Sequence, residues 1–223
     1  MKPLIAASLI AVAATAASGC APLDMSVFVE GASFLDESCS SAGDVQLLRG
    51  GLDLGPSAAA GVLPVYFGHF GLRSDLEPTT IKSGDDILAG ETRNEFVADQ
   101  VRISYALQSG PTVAEALEPI FFVVSPGSTD GFIQFQMLST AAGTMLANSV
   151  PNGGDDTLKI TFNFEGNVRG STNALTKMKT PVVVFPVRVV NNTPVFPACT
   201  APAVPTLAGP CGNSQESFSF TCK

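Results

Sequence analysis

Apolar and polar residues alternate over several short stretches of this chain. In VRISYALQ, residues 101–108, large apolar residues occupy every second position, so in an extended chain their side chains lie on one face. The stretch LKITFNFEG, residues 158–166, has the same pattern. A period of two residues is typical of a half-buried β-strand. We therefore predict a strand at each of these two stretches, and the second shows the pattern most clearly.

Five further stretches have strand character. FIQFQML, residues 132–138, alternates less cleanly, and PVVVFPVRVV, residues 181–190, is almost continuously β-branched. Pro186 removes one donor from the second of these, so we expect an edge or a bulge there. Three shorter candidates lie earlier in the chain, at residues 25–34, 45–54 and 63–72.

Turn-forming residues separate these stretches, as in SGDD at 83–86, SPGSTDG at 125–131 and PNGGDD at 151–156. Only TVAEALEP, residues 112–119, has a helical pattern, and it is at most two turns long. The sequence therefore predicts an all-β fold, a single immunoglobulin-like β-sandwich over residues 26–191. Residues 192–223 are expected to form a Pro-rich, disulfide-stapled C-terminal tail packed on it.

The N-terminus has the pattern of an export signal. Lys2 precedes an uncharged apolar run from Leu4 to Ala17, which is shorter than the roughly 20 residues of a spanning helix. Cleavage by an ordinary signal peptidase would follow an A-x-A such as residues 14–16, giving a soluble secreted protein. A chain cleaved in this way, or processed by the second route that residues 17–20 suggest, leaves the cytoplasm.

The sequence ASGC at residues 17–20 offers a second route, because it resembles the bacterial lipobox. Ala17 stands where leucine is commonest, while the two small residues and Cys20 match. The resemblance implies that residues 1–19 are a lipoprotein signal peptide and that Cys20 becomes an acylated first residue. Residues 20–25 would then be a short tether to the membrane, with the outer membrane favoured over the inner one because Ala21, not aspartate, follows Cys20.

The cysteine count agrees with lipidation. The chain has five cysteines, and an odd number leaves one thiol unpaired in an oxidising compartment. If Cys20 carries lipid, Cys39, Cys199, Cys211 and Cys222 remain, and they can form two disulfides. Metal binding is the competing interpretation, but the chain contains no C-x-x-C pair.

Four cysteines allow three pairings. Cys199 follows the last predicted strand by about eight residues, within the reach of an extended chain of about 3.3–3.6 Å per residue. We therefore predict that Cys39 bonds Cys199 and pins the tail, and that Cys211 bonds Cys222 around a local loop.

Composition excludes some partners and leaves others open. Without the lysine of the leader, 11 Lys and Arg face 20 Asp and Glu, a net charge of −9. An acidic domain without a basic cluster is a poor candidate for binding nucleic acid. Nothing in the sequence indicates a cofactor.

The single histidine limits the enzyme hypotheses. A Ser-His-Asp or Cys-His mechanism would have to use His69, and the chain has neither a G-x-S-x-G motif nor a second histidine for zinc. A hydrolase would require His69 to be exposed in a cleft beside a carboxylate and a nucleophile. We predict instead that the protein is not an enzyme.

Paired carboxylates suggest one alternative site. Asp85 with Asp86, and Asp155 with Asp156, follow turn residues, where aspartate commonly terminates a turn. They are also weak calcium candidates, since carboxylates are calcium ligands. Neither pair has EF-hand spacing, so a site would need both loops, or Asp130 as well, at one end of the sandwich.

These observations lead to one main functional hypothesis. The chain is expected to be an envelope-anchored, non-enzymatic lipoprotein, held in the membrane by the lipid on Cys20. It would bind an unidentified envelope or surface protein through loops or a sheet edge. The alternative is a calcium-stabilised adhesive or carbohydrate-binding sandwich.

Overall fold

A computed structural model describes residues 26–83, 86–169, 175–195, 197–207, 211, 215–216 and 220–223. The first half of the chain forms seven strands and a short helix: β1 (Val27–Leu35), β2 (Ser41–Leu47), β3 (Gly50–Asp53), α1 (Gly55–Ala60), β4 (Phe67–Ser74), β5 (Thr79–Ser83), β6 (Asp86–Arg93) and β7 (Glu95–Leu107). The second half forms β8 (Thr112–Val124), β9 (Gly131–Gln136), α2 (Thr140–Ser149), β10 (Asp155–Arg169), β11 (Leu175–Lys179), β12 (Val183–Val190), β13 (Pro205–Leu207) and β14 (Phe220–Cys222).

Two large sheets contain most of these strands. The first sheet has four antiparallel strands in the order β2-β1-β4-β9. The second has the order β3-β12-β10-β7-β8, with β11 pairing the second half of β10 beside β12. All its pairings are antiparallel except that of β3 with β12. Two-stranded ladders, β5-β6 and β13-β14, complete the described structure.

The predicted alternation is confirmed in the two clearest strands. The apolar face of β7 from Val101 to Leu107 is buried, and so is the apolar face of β10 from Leu158 to Phe164. Pro186 lies in β12 just before pairing with β3 begins at Val187, so the first half of β12 has β10 as its partner on one side alone among the described residues. The expectation of an edge at Pro186 is therefore correct for that half of the strand.

Phenylalanines join the two sheets into one core. Phe70 of the first sheet lies with its ring centroid 5.0 Å from that of Phe162 in the second, and 5.6 Å from that of Phe185. Phe135 of β9 packs edge-on against Phe162 and Phe164, at 5.6 Å from each. Edge-to-face packing at these separations is favourable beyond the area that it buries. The predicted β-rich fold with packed sheets is thus confirmed.

The predicted helix at residues 112–119 is wrong. These residues are the first part of β8, which pairs with β7 along its length, with register shifts that bulge the strand. Their helical propensity is a weak local preference, and the long ladder with β7 outweighs it. Pro119, which would have ended a helix, lies instead opposite Gln100 at one of these shifts.

The described residues contain two helices, α1 and α2, at positions where the sequence pattern predicts none. α1 has Pro56 in its first turn and ends at Gly61, whose φ of 67° is the left-handed conformation that glycine adopts without strain. α2 begins after Ser139, whose hydroxyl accepts a hydrogen bond from the Ala142 N–H at 3.2 Å. These capping residues are signals in the sequence that could have located both helices.

The tail contains two disulfides, as predicted, but their connectivity differs. Cys39 bonds Cys211, and Cys199 bonds Cys222. The tail folds back on itself through β13 and β14, so that Pro205 pairs with Cys222 and the end of the chain reaches Cys199. Chain length sets only an upper limit on how far Cys199 can lie from the last strand, and it does not indicate this reversal of the tail.

Candidate interaction surface

The second sheet ends in an exposed strand. β8 is paired to β7 on one side, and no strand of the described residues pairs with its other side. An unpaired strand edge presents a row of N–H and C=O groups that another extended chain can bind. At 13 residues β8 is long for an edge strand, so short length does not protect this edge. Whether another chain can pair with it then depends on its side chains.

The first half of β8 carries charges that disfavour pairing. Glu115 and Glu118 lie here, and Pro119 removes a backbone donor at the end of this half. The guanidinium of Arg102 on β7 contacts Glu115 and also lies 2.5 Å from the carboxylate of Glu165. This ion pair lowers the pKa of Glu165. Charges and proline are the usual protection of a strand edge against another chain.

The second half of β8, Ile120–Val124, lacks this protection. We call it the apolar edge segment. It contains no charged residue, and the Phe121 side chain is 77% exposed. Val123 also faces solvent, whereas Phe122 points inward and packs edge-on against Phe164 at 4.9 Å. The segment thus combines a free backbone edge with an exposed aromatic side chain.

A groove lies between the two sheets where the two halves of β8 meet, and Glu118, Pro119 and Ile120 of β8 line it. It has a volume of about 340 Å³, and its walls include Ile120, Phe135 and Leu138. Glu118, Gln136, Ser139 and Thr140 give the groove a partly polar lining. The groove is open because β8 and β9 are the last strands of their sheets on this side of the molecule. An added strand could therefore pair with β8 and place an apolar side chain in the groove.

His69 lies apart from this surface. It is on β4, 8% exposed, with its ring stacked on Phe132 at 5.2 Å between centroids. Its Nδ1 has no hydrogen-bond partner among the described residues, and burial lowers its pKa. The His69 ring thus contacts an aromatic ring. Within the described part of the chain it makes no hydrogen bond or ion pair with a carboxylate or a nucleophile.

The acidic candidates do not converge in the described structure. Asp155 accepts a hydrogen bond of 2.9 Å from Arg188 Nε, and this guanidinium lowers its pKa. Asp156 accepts one from the Thr157 N–H at 2.6 Å. Asp130 lies directly before β9. The other end of β9 lies near the first half of β10, because the Met137 carbonyl accepts a hydrogen bond from the Tyr105 hydroxyl and Tyr105 pairs with Ile160. Asp130 is therefore at the opposite end of the sandwich from the start of β10.

The second acidic pair is described only in part. Asp86 begins β6, where its backbone pairs with that of Ser83, and Asp85 lies outside the described residues. Within the described residues, no group of three or more His, Cys, Asp or Glu side chains is arranged to hold a metal ion.

The cysteine candidates fall into two groups. Cys39, Cys199, Cys211 and Cys222 all form disulfides, so none of them is a free thiol. Cys20 lies outside the described residues, as do the predicted signal peptide and tether. Among the described helices, none has the length and apolar character needed to cross a membrane.

The apolar edge segment is not among the strands predicted from the sequence. Its signal was the uncharged run IFFVV directly after Pro119. Because the local pattern of residues 112–119 is helical, it does not indicate a strand that this run could extend. A strand pattern shows which residues alternate, but the order of strands in a sheet decides which strand forms its edge.

Comparison with known proteins does not assign the chain to a family. No protein-family model matches it, and no curated protein matches it. One solved structure, a crystal structure of a protein from Archaeoglobus fulgidus, aligns with a TM-score of 0.29 and 12% sequence identity. The alignment covers 56% of this chain and 86% of that chain.

Proposed function

We propose that this chain is an envelope-anchored, non-enzymatic lipoprotein that binds a protein partner by adding a strand of that partner to β8. The observation that carries the proposal is the apolar edge segment, an unprotected strand end with an exposed phenylalanine, which begins at a groove that Ile120 lines. Monomeric proteins usually protect such edges. An edge left open next to a charged, protected half is suited to bind an extended chain of limited length.

The partner's chemistry follows from this surface. Its binding segment would be extended and about five residues long, because Pro119 interrupts the ladder. It would carry an apolar side chain for the groove between Ile120, Phe135 and Leu138. It would also lack acidic residues near Glu118, because like charges placed opposite each other in a sheet are destabilising.

The membrane attachment rests on the sequence. The lipobox resemblance at residues 17–20 and the pairing of the other four cysteines support acylation of Cys20, with the outer membrane as the favoured location. A soluble secreted form is the alternative. The immunoglobulin-like topology also stays a prediction, and the second sheet contains one parallel pair, β3 with β12.

Site-specific cross-linking tests the binding proposal. A photo-reactive phenylalanine analogue at position 121 should cross-link one envelope protein in cells, and the same analogue at Leu48 should not. Leu48 is a suitable control because it is 87% exposed but lies after β2, away from β8. Equal cross-linking from both positions, or none from position 121, would contradict binding at this edge.

Two measurements test the anchor separately. Full-length protein should partition into the detergent phase and carry a lipid mass on a mature N-terminal Cys20. The Cys20→Ser variant should lose both properties. A soluble protein that begins at residue 17 and carries no lipid would contradict the lipoprotein assignment and leave the β8 proposal open to its own test.

A further inference from the structure

The apolar edge segment itself has the properties that a partner strand for β8 requires. Ile120–Val124 is extended, five residues long and uncharged. The side chain of Phe121 is 77% exposed and that of Val123 is 46% exposed, so one face of the segment presents two apolar groups to solvent. A strand added beyond Pro119 must be equally short and must also carry apolar side chains. The segment is therefore complementary to a second copy of itself.

Two-fold symmetry fixes how two copies of this segment would pair. In a two-fold interface the same residues contact each other twice, and two edge strands related in this way run antiparallel. With the axis at Phe122, the middle residue of the segment, Phe121 of each copy lies opposite Val123 of the other. Opposite residues of an antiparallel pair share one face of the sheet, and aromatic with β-branched pairs stabilise it. The four exposed side chains then form one apolar cluster.

The acidic residues of β8 favour this register over one centred in the first half of the strand. With the axis at Phe122, Glu118 of one copy lies opposite residues 125–127 of the other, which carry no charge. An axis in the middle of the first half would instead place Glu115 opposite Glu118 in both copies. Like charges placed opposite each other destabilise a sheet. The charge pattern thus confines self-pairing to the second half of β8.

The groove between the two sheets lies at each end of this contact. Glu118, Pro119 and Ile120 form its β8 wall. Because the two copies run antiparallel, the residues after Val124 of the second copy pass along this wall of the first. Pro126 is the first apolar residue of that stretch, and it is half-buried in the single chain. The second copy thus brings an apolar side chain to the groove, and symmetry repeats the contact at the other end.

We propose that the partner of β8 is a second copy of this chain, bound by antiparallel pairing of the two apolar edge segments about Phe122. This inference rests on the proposed function, because it names the protein whose strand is added to β8. The second sheets of the two copies then join into one continuous sheet.

The contact between the two copies is short. Pro119 removes a backbone donor, and the register of β8 against β7 shifts between Pro119 and Phe122, so the ladder is confined to the second half of the strand. A short ladder buries less area than a stable soluble dimer needs. Two copies that are anchored through Cys20 share one membrane, which raises their effective concentration and favours the dimer there.

Cysteine cross-linking in envelope membranes tests both the pairing and its register. Full-length Phe121→Cys and Val123→Cys chains are produced together and oxidised mildly, and the cross-linked peptides are identified by mass. Opposite Cβ atoms lie about 4.5–5.5 Å apart and diagonal ones about 7–8 Å, so the mixed pair is closer to disulfide geometry. Random collision would give about twice as much mixed dimer as either same-variant dimer, whereas the proposed register should give about tenfold more.

Leu48→Cys is the matched control, because this side chain is 87% exposed and lies away from β8. Produced together with Val123→Cys, it should give no dimer above the background of random collision. A mixed dimer of Phe121→Cys and Val123→Cys at the random ratio, or no dimer, would overturn the proposal.

The photo-reactive analogue at position 121 separates this inference from the proposed function. A cross-linked species with twice the mass of the chain, containing only its peptides, supports the second copy as the partner, and it decides the question if a cysteine variant does not fold. Capture of a different envelope protein would overturn this inference and leave strand addition at β8 standing. Capture of no protein would overturn both.

Discussion

The two sides of this sandwich treat their strand edges in opposite ways. On one side Gln215 and Glu216 bind the free edges of β4 and β3, and a disulfide from Cys39 to Cys211 holds the tail nearby. On the other side β8 and β9 end their sheets with an open groove between them. The closed side uses side-chain amide and carboxyl groups of its own tail where a sheet would normally use another strand.

The comparison shows that the open edge is a local feature and not a general property of the fold. The same chain that supplies a segment for β3 and β4 supplies none, among the described residues, for Ile120–Val124. The open edge is also graded, because its first half carries Glu118 and Glu115, which pairs with Arg102 of β7, while its second half is uncharged.

The largest effect is expected from the disulfide of the closed side. Replacing Cys39 and Cys211 by serine opens a loop with a sequence separation of 172, and the chain-entropy estimate for such a loop is about 5 kcal/mol. The Cys199 and Cys222 pair, with a separation of 23, should contribute about 3 kcal/mol. Denaturant unfolding of both double variants measures the difference. A smaller loss for the Cys39 and Cys211 variant would contradict the role of this bond in closing the sandwich.

The second effect concerns the amide of Gln215. Gln215→Ala leaves the N–H and C=O groups of Phe67 without their partner, and a buried unsatisfied group costs about 1–3 kcal/mol. The free energy of unfolding should therefore fall by at least that amount. Gln134→Ala is the matched control, because Gln134 is exposed on β9 and should change stability by less than about 0.5 kcal/mol. Equal losses in the two variants would show that water replaces the Gln215 amide.

The sequence predicted the β-rich fold where one face of a strand is buried, because burial of alternate residues is recorded in the hydrophobic pattern. Residues 101–107 and 158–164 are examples. It failed at residues 112–119, where local helical propensity conflicted with a ladder made to a distant strand. It also could not show the contact between the tail and β4, since GNSQES carries no pattern that identifies Gln215 as a partner of Phe67. Contacts across 148 residues depend on the tertiary fold and not on local preference.

The two sides of the sandwich are expected to lose stability in opposite directions of pH. Arg102 lowers the pKa of Glu165 from its ordinary value of 4.5, so this pair stabilises the fold above that value and its contribution is lost as pH falls. Burial raises the pKa of Glu216, which gives it the reverse sign, with a contribution that is lost as pH rises. Thermal unfolding between pH 3 and pH 8 should show a weaker acid-side decline in Arg102→Gln. The Glu216→Gln variant should instead change the neutral side, and a common effect of both variants would contradict this assignment.

The smallest change in stability is expected at the open edge, where the largest change in binding should occur. Phe121→Asp places a charge on an exposed side chain, so the free energy of unfolding should change by less than about 0.5 kcal/mol. The same aspartate introduces a charge into the apolar edge segment, and a charged residue there disfavours pairing with another strand. Recovery of the protein that cross-links at position 121 should therefore be lost in Phe121→Asp but kept in Leu48→Asp, with both variants matched by denaturant unfolding. If Phe121→Asp were strongly destabilised, Phe121 would be part of the fold and not of a binding surface. If it stayed stable and still bound, the partner would use another surface, and the difference between the two sides would have no functional meaning.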